Sequence, residues 1–330
     1  MPVLYVTEQR SIIRKTSDRL VVEKDGTVLM EIPCLKLDTV LIFGNVQVTT
    51  QALVEMLDHG IELAILSKSG QLRGQLTPPK AKNIPLRMRQ YEAARDERFC
   101  LQFAREVVTA KIESSAAVLR RFRKHHPEAV SLADVQELDS RVPSARAALS
   151  LETLRGVEGT AAARHFGALA GMVPPSFEFD GRNRRPPRDP VNALLSFGYV
   201  LVGNEFQALL DAMGFDPYLG FFHQLDYGRP SLALDLLEEF RAALVDRFSV
   251  GLLNLGILKP QDFVETPEKG VVLSREALKT WFAQYEKELT SSLSLEGENL
   301  TWRQIFRRQA EQLARTLLED EPYQAFRWPC

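Results

Sequence analysis

The sequence predicts an α+β protein: a small N-terminal β-rich domain over residues 1–76, a linker at 77–86 and a larger all-α domain over 87–330. Three observations predict it. Short apolar runs alternate with period two up to residue 76, a Pro-punctuated stretch breaks that pattern, and beyond Leu86 the apolar residues recur at helical spacing. A chain of 330 residues, 45% hydrophobic and 25% charged, suffices for two domains with cores of their own.

In chain order, the alternation predicts strands at 3–6, 11–15, 19–23, 28–32 and 39–43. Lys24-Asp25-Gly26 separates two of them and reads as a hairpin turn, because Asp and Gly tolerate positive φ. A short helix at 51–59 and a buried strand at 61–66 complete the domain. The stretch LTPPKAKNIP then supplies two lysines, Lys80 and Lys82, and no acid. Leu86 to His125 contains neither Gly nor Pro and predicts one or two long helices, with Phe99, Phe103, Val107, Ala110 and Val118 on the apolar face. The rest is mostly helical, with loops expected at 173–190, 224–230 and 259–272.

Net charge of −2 conceals an asymmetry. Residues 77–126 hold twelve Lys/Arg against five Asp/Glu, whereas residues 201–330 hold thirteen against twenty. A basic stretch is what phosphate contact requires, although a solvated helix face explains the same composition. The charge-free run at 190–204 is too short to span a bilayer. MPVLYVTEQR lacks the layout of a secretory signal, and Cys34, Cys100 and Cys330 are isolated, so a cytoplasmic protein is expected. With five histidines, no HExxH, no GxxxxGK[ST] and no GxSxG, zinc proteases, P-loop motors and elbow-type hydrolases find no support.

Three segments carry candidate chemistry. In the first, Gly156 and Gly159 bracket Glu158 within a helical pattern, each costing about 1 kcal/mol against Ala. Either a substrate or a facing element comes close to that face, or this is a small-residue crossing with Glu158 merely exposed. The second places His223 among aromatics before a Gly/Pro loop. In the third, Ser231 is the expected N-cap of a helix on which Asp235 and Glu238 share a face. Helix-dipole complementation, or pairing of Glu238 with Arg241, accounts for those acids equally well. Two carboxylates and one imidazole suit Mg²⁺ or Mn²⁺ better than Zn²⁺.

Taken in this order, the segments resemble the CRISPR-associated endonuclease one family, the integrase of spacer acquisition. The stretch from Phe179 to Tyr199, FDGRNRRPPRDPVNALLSFGY, resembles its RPP-x-DP-x-NA-x-L motif; the GxEGxAAxxxF run at 156–166 and the run from His223 to Arg241 resemble its other two. The resemblance implies that Glu158, His223 and Glu238 are catalytic metal ligands, with Glu239 or Asp235 as alternatives for the last. It implies that Asp235, Asn192 and Arg185 support the site and that Lys80, Lys82, Arg87 and Arg89 lie near DNA. It further implies a homodimer formed through the β-rich domains, a second CRISPR adaptation protein as partner, and double-stranded DNA (prespacer and repeat) as substrate. An end-trimming nuclease is a further expected partner, and no membrane is. The implied activity is a metal-dependent endonuclease and integrase in which a DNA 3′-hydroxyl attacks a repeat phosphodiester. A non-catalytic DNA-binding scaffold of the same architecture is the alternative.

Overall fold

Each alternating run near the N-terminus folds as a strand. The computed structural model of the chain describes residues 3–67, 72–77, 83–183, 186–224, 226–267 and 270–329. It divides into two units, residues 1–81 and 82–330. The first holds β1 (Val3–Val6), β2 (Ile12–Thr16), β3 (Arg19–Lys24), β4 (Thr27–Pro33), β5 (Thr39–Phe43), β6 (Gln47–Val48), α1 (Thr50–Asp58), β7 (Glu62–Leu66) and β8 (Leu72–Leu76). One sheet has the order β1-β5-β7-β8, parallel except at β8; the other has the order β4-β3-β2-β6. The β3–β4 hairpin turns at Asp25 and Gly26, both at positive φ (49° and 79°), as the Asp-Gly pair predicts. Val6, Ile13, Leu20, Val40, Ile42, Met56 and Leu63 form the core. Edge strand β4 instead leaves Val28, Leu29 and Met30 exposed.

The second unit becomes helical at Ile84, inside the stretch expected to be linker. Asn83 Oδ1 accepts from Leu86 N at 3.3 Å and so caps α2 (Ile84–Ala93). Pro85 falls in the first turn, where a missing N–H costs no hydrogen bond. Asp96 caps α3 (Glu97–His125), whose 29 residues bury Phe103, Val107, Ala110 and Val118. Against α3 pack α4 (Leu132–Arg146) and α5 (Leu151–Met172). Next comes α6 (Pro190–Met213), long and apolar enough by composition to cross a membrane; 67% of its most apolar window is buried within the protein, which makes it a core helix.

After Pro230 the expected regular helix changes gauge. Ser231 is not its cap but the first residue of α7 (Ser231–Leu237), and its hydroxyl donates to Gln224 O at 3.2 Å. A 3₁₀ turn over Glu238–Phe240 and a π-helical stretch over Arg241–Asp246 lead into α8 (Arg247–Asn254). Such irregularities are frequent at functional sites. Phe240, fully buried between Phe206, Phe306 and Phe326, anchors the transition. The domain is not wholly α: the expected loop at 259–272 carries a hairpin of β9 (Phe263–Thr266) and β10 (Gly270–Leu273). Between α9 (Arg275–Thr290) and α10 (Trp302–Glu319) lies a second, of β11 (Ser292–Leu295) and β12 (Glu298–Thr301). The segment after α10 folds back on its own domain. Tyr323 OH donates to Glu239 Oε1 at 2.5 Å, Phe326 N to Glu239 Oε2 at 2.6 Å and Trp328 N to Ser114 Oγ at 3.0 Å.

Candidate active site

Glu158, His223 and Glu238 arrive on separate elements: the middle of α5, the loop after α6 and the 3₁₀ turn after α7. What orients His223 is Asp235, which is wholly buried. Asp235 Oδ2 accepts from Phe221 N at 2.7 Å and Phe222 N at 3.0 Å; Oδ1 accepts from His223 N at 2.9 Å and His223 Nδ1 at 2.7 Å. Four donors occupy the carboxylate, so Asp235 supports the site rather than offering a ligand oxygen. With the Nδ1–H committed to Asp235, Nε2 is the acceptor of the ring, 3.6 Å from Glu238 Oε1. The turn demands Gly220, because a Cβ there would lie 2.6 Å from Asp235 Oδ2.

Between the two glutamates sits Lys111 of α3. Its Nζ hydrogen-bonds Glu158 Oε1 and lies 2.6 Å from Glu238 Oε2. Arg241 Nε lies 2.9 Å from Glu238 Oε1, and the same guanidinium stacks 4.4 Å over the Tyr199 ring. Tyr199 in turn donates to Asp246, whose other oxygen meets His165 Nε2 at 2.8 Å. Burial pushes the Glu238 carboxyl up, but Arg241, Lys111 and His223 together outweigh it and hold the group well below the usual carboxylate range. Burial likewise lowers the Lys111 ammonium, and Glu238 with Glu158 more than reverses that.

Glu239 faces away. It is fully buried against the C-terminal segment, and burial pushes its carboxyl up to about 8, despite donors from Tyr323, Phe326 and Gln309. Adjacent acids on a helix point in different directions, and here only Glu238 reaches the cleft.

The cleft encloses about 1340 Å³ and is rimmed by Arg155, Arg182, Arg188 and Arg229. Of the two explanations for Gly156 and Gly159, a closely facing protein element is absent: among the described residues, a Cβ at either position would meet nothing within 4 Å. Room remains there for a substrate. Asn192 is buried and ties down Gly181, Arg182 and Asn183. It donates to Gly181 O at 2.9 Å and accepts from Asn183 N at 3.0 Å and Arg182 at 2.7 Å.

Arg87 and Arg89 lie on α2 outside the lining of the cleft, and Arg89 pairs with Glu92 at 3.4 Å. Lys80, Lys82 and Arg185 lie outside the described residues. Within the basic stretch, Arg105 donates to Ala148 O at 2.7 Å and Arg120 pairs with Asp139 at 2.8 Å, while Lys111 turns inward. Sequence reasoning missed Lys111, Tyr199 and the rim arginines. Only the Arg-rich run around Pro186 signalled any of them.

Two carboxylates and an imidazole nitrogen fit a hard divalent cation. Glu238 Oε2 reinforces that fit: it is buried, and its charged neighbour is the Lys111 ammonium at 2.6 Å. The tightest donor trio among the described residues is elsewhere. Cys34, Glu55 and His59 have ligand atoms within 4.8 Å of one another. Glu55 is already paired with Lys15, His59 Nδ1 is bonded to Glu55 O at 3.0 Å, and burial pushes the Cys34 thiol up. Those features describe a structural cluster.

The family model described as CRISPR associated protein Cas1 matches residues 4–287. A CRISPR-associated endonuclease Cas1 of Thermus thermophilus is 35% identical over 329 residues, covering 98% of this chain and 96% of that protein. A CRISPR-associated exonuclease Cas4/endonuclease Cas1 fusion of Geobacter sulfurreducens is also 35% identical over 329 residues, and this chain spans 59% of its length. Among solved structures, a casposase bound to integration product superposes with a TM-score of 0.88 at 23% identity, covering 100% of this chain and 94% of that one. A chain of a Cas6-RT-Cas1–Cas2 complex superposes at 0.84 with 25% identity, covering 100% of this chain and 36% of that one.

Proposed function

Because the chain belongs to the CRISPR-associated Cas1 family, we propose that it is a divalent-metal-dependent DNA endonuclease and integrase that inserts short foreign DNA into a CRISPR repeat. The observation that carries this reading is that Lys111 joins Glu158 to Glu238 while His223 Nε2 lies 3.6 Å from Glu238 Oε1, all lining one arginine-rimmed cleft. Glu158, His223 Nε2 and Glu238 would hold Mg²⁺ or Mn²⁺. Bound there, the ion supplies Lewis acidity toward a phosphodiester and its attacking 3′-hydroxyl. Asp235 keeps the His223 ring oriented with its proton on Nδ1, and Arg241 fixes Glu238. The rim arginines neutralise DNA phosphates. Against a non-catalytic scaffold stands the desolvation cost of holding the buried Glu238 and the partly buried Glu158 at one point.

Two copies pair through the β-rich unit: β4 exposes Val28, Leu29 and Met30, and Leu35 beyond it is 87% exposed, an apolar strip on an unpaired edge. A second adaptation protein and an end-trimming nuclease are the partners suggested by the relatives that carry Cas2 and Cas4 in their names. The setting is cytoplasmic. Strand transfer of a prespacer into repeat DNA tests the reading. Glu158→Ala and His223→Ala should each abolish transfer in Mn²⁺ while dimer formation and DNA binding persist. Undiminished transfer by either variant overturns the site.

A further inference from the structure

We propose that Lys111 is a built-in counter-ion in the cation's seat, so that divalent metal enters only by displacing its ammonium. The inference rests on the metal-site reading above and deepens it. Lys111 extends from the middle of α3 into the cleft, its side chain only 14% exposed, and its Nζ bridges Glu158 Oε1 and Glu238 Oε2. These are the oxygens that a hard cation would need. Divalent Mg²⁺ demands oxygen ligands at roughly 2.0–2.1 Å, and an ammonium on the same two oxygens competes for them and repels the incoming ion.

Charge counting points the same way. Glu158, Glu238 and Asp235 contribute three negative charges; Lys111 and Arg241 return two positive ones. One negative charge is left over, so a divalent ion entering beside both cations turns the cluster net positive. Two events relieve it: the flexible lysine stem swings its ammonium out of the seat, and a DNA phosphate arrives in the cleft. Metal affinity is therefore low in the free protein and rises when DNA supplies the missing negative charge and a new partner for the Lys111 ammonium. The device keeps two carboxylates together without metal and withholds the loaded site until substrate is present.

The test titrates the DNA-free protein with Mn²⁺ and follows the free-ion signal by electron paramagnetic resonance. Lys111→Met, which keeps the stem and removes the charge, should bind Mn²⁺ at least about tenfold more tightly than the unaltered protein. The extra affinity gained on adding duplex DNA should shrink. Lys111→Gln retains an amide donor against the carboxylates and covers the case in which Lys111→Met does not fold; it should also bind more tightly. Unchanged or weaker Mn²⁺ binding by the folded variant overturns the proposal, because a lysine that merely braces Glu158 would lower affinity when removed. Glu158→Gln separates the two readings. It should abolish binding in both backgrounds, and binding that survives it sinks the metal site itself rather than the role of Lys111 alone.

Discussion

Among the described residues two clusters join a lysine, a histidine and a carboxylate, and they differ in what supports the histidine. In the N-terminal unit, Lys15 pairs with Glu55, and His59 sits beside it four residues on along α1. In the helical unit, Lys111 pairs with Glu158 and Glu238, with His223 beside them. Proximity favours the first, whose donor atoms together with Cys34 lie within 4.8 Å of one another. The supporting residues favour the second. His59 spends Nδ1 on the backbone of its own helix, whereas a buried carboxylate gripping three backbone N–H groups and Nδ1 holds His223. Ligand character is conferred by what lies behind the ligand.

The sharpest way to break that comparison is to remove the support and leave the ligands. Asp235→Asn presents an amide donor where the site supplies only donors, so either His223 or a backbone N–H loses its partner. Mn²⁺ affinity should fall by about 10–100-fold with the three ligands intact. A loss smaller than about twofold would mean that the orientation of His223 is set by something else. A smaller effect belongs to the third carboxylate. Burial raises Glu239 to about 8 in the folded state, so the unfolded chain ionises it first. The stability this group contributes is complete below its ordinary carboxylate pKa and is lost as pH rises through about 8, with a slope of at most about 1.4 kcal/mol per pH unit. Urea unfolding midpoints between pH 5 and pH 8, on the order of that window, should therefore decline with pH, and Glu239→Gln should flatten the decline. A parallel slope in the variant would place the titration elsewhere.

How far the sequence discloses this arrangement depends on whether a residue's direction is written in its neighbours. Glycines flanking Glu158 and the aromatic, Gly/Pro-rich setting of His223 mark both as special. The alternation up to residue 66 marks six strands of the β-rich unit and misses β6 and β8. The choice among Asp235, Glu238 and Glu239 is not legible, because it depends on a helix that passes through 3₁₀ and π gauge around a buried Phe240. Lys111 is hidden for a different reason. It stands in a basic stretch, and a charge count says nothing about which basic residue turns inward. The hairpin at β9 and β10 escapes notice because neither strand alternates in burial, as the equally short β1 does.

The most direct test of the central claim is an anomalous difference map, at the manganese edge, of the protein with Mn²⁺ and duplex DNA. One peak bonded to Glu158, Glu238 and His223 Nε2, with the Lys111 ammonium withdrawn from the two carboxylates, is the predicted result. A peak at Cys34, Glu55 and His59 with none at the three ligands, or Lys111 still bridging Glu158 and Glu238 beside a bound ion, would contradict it.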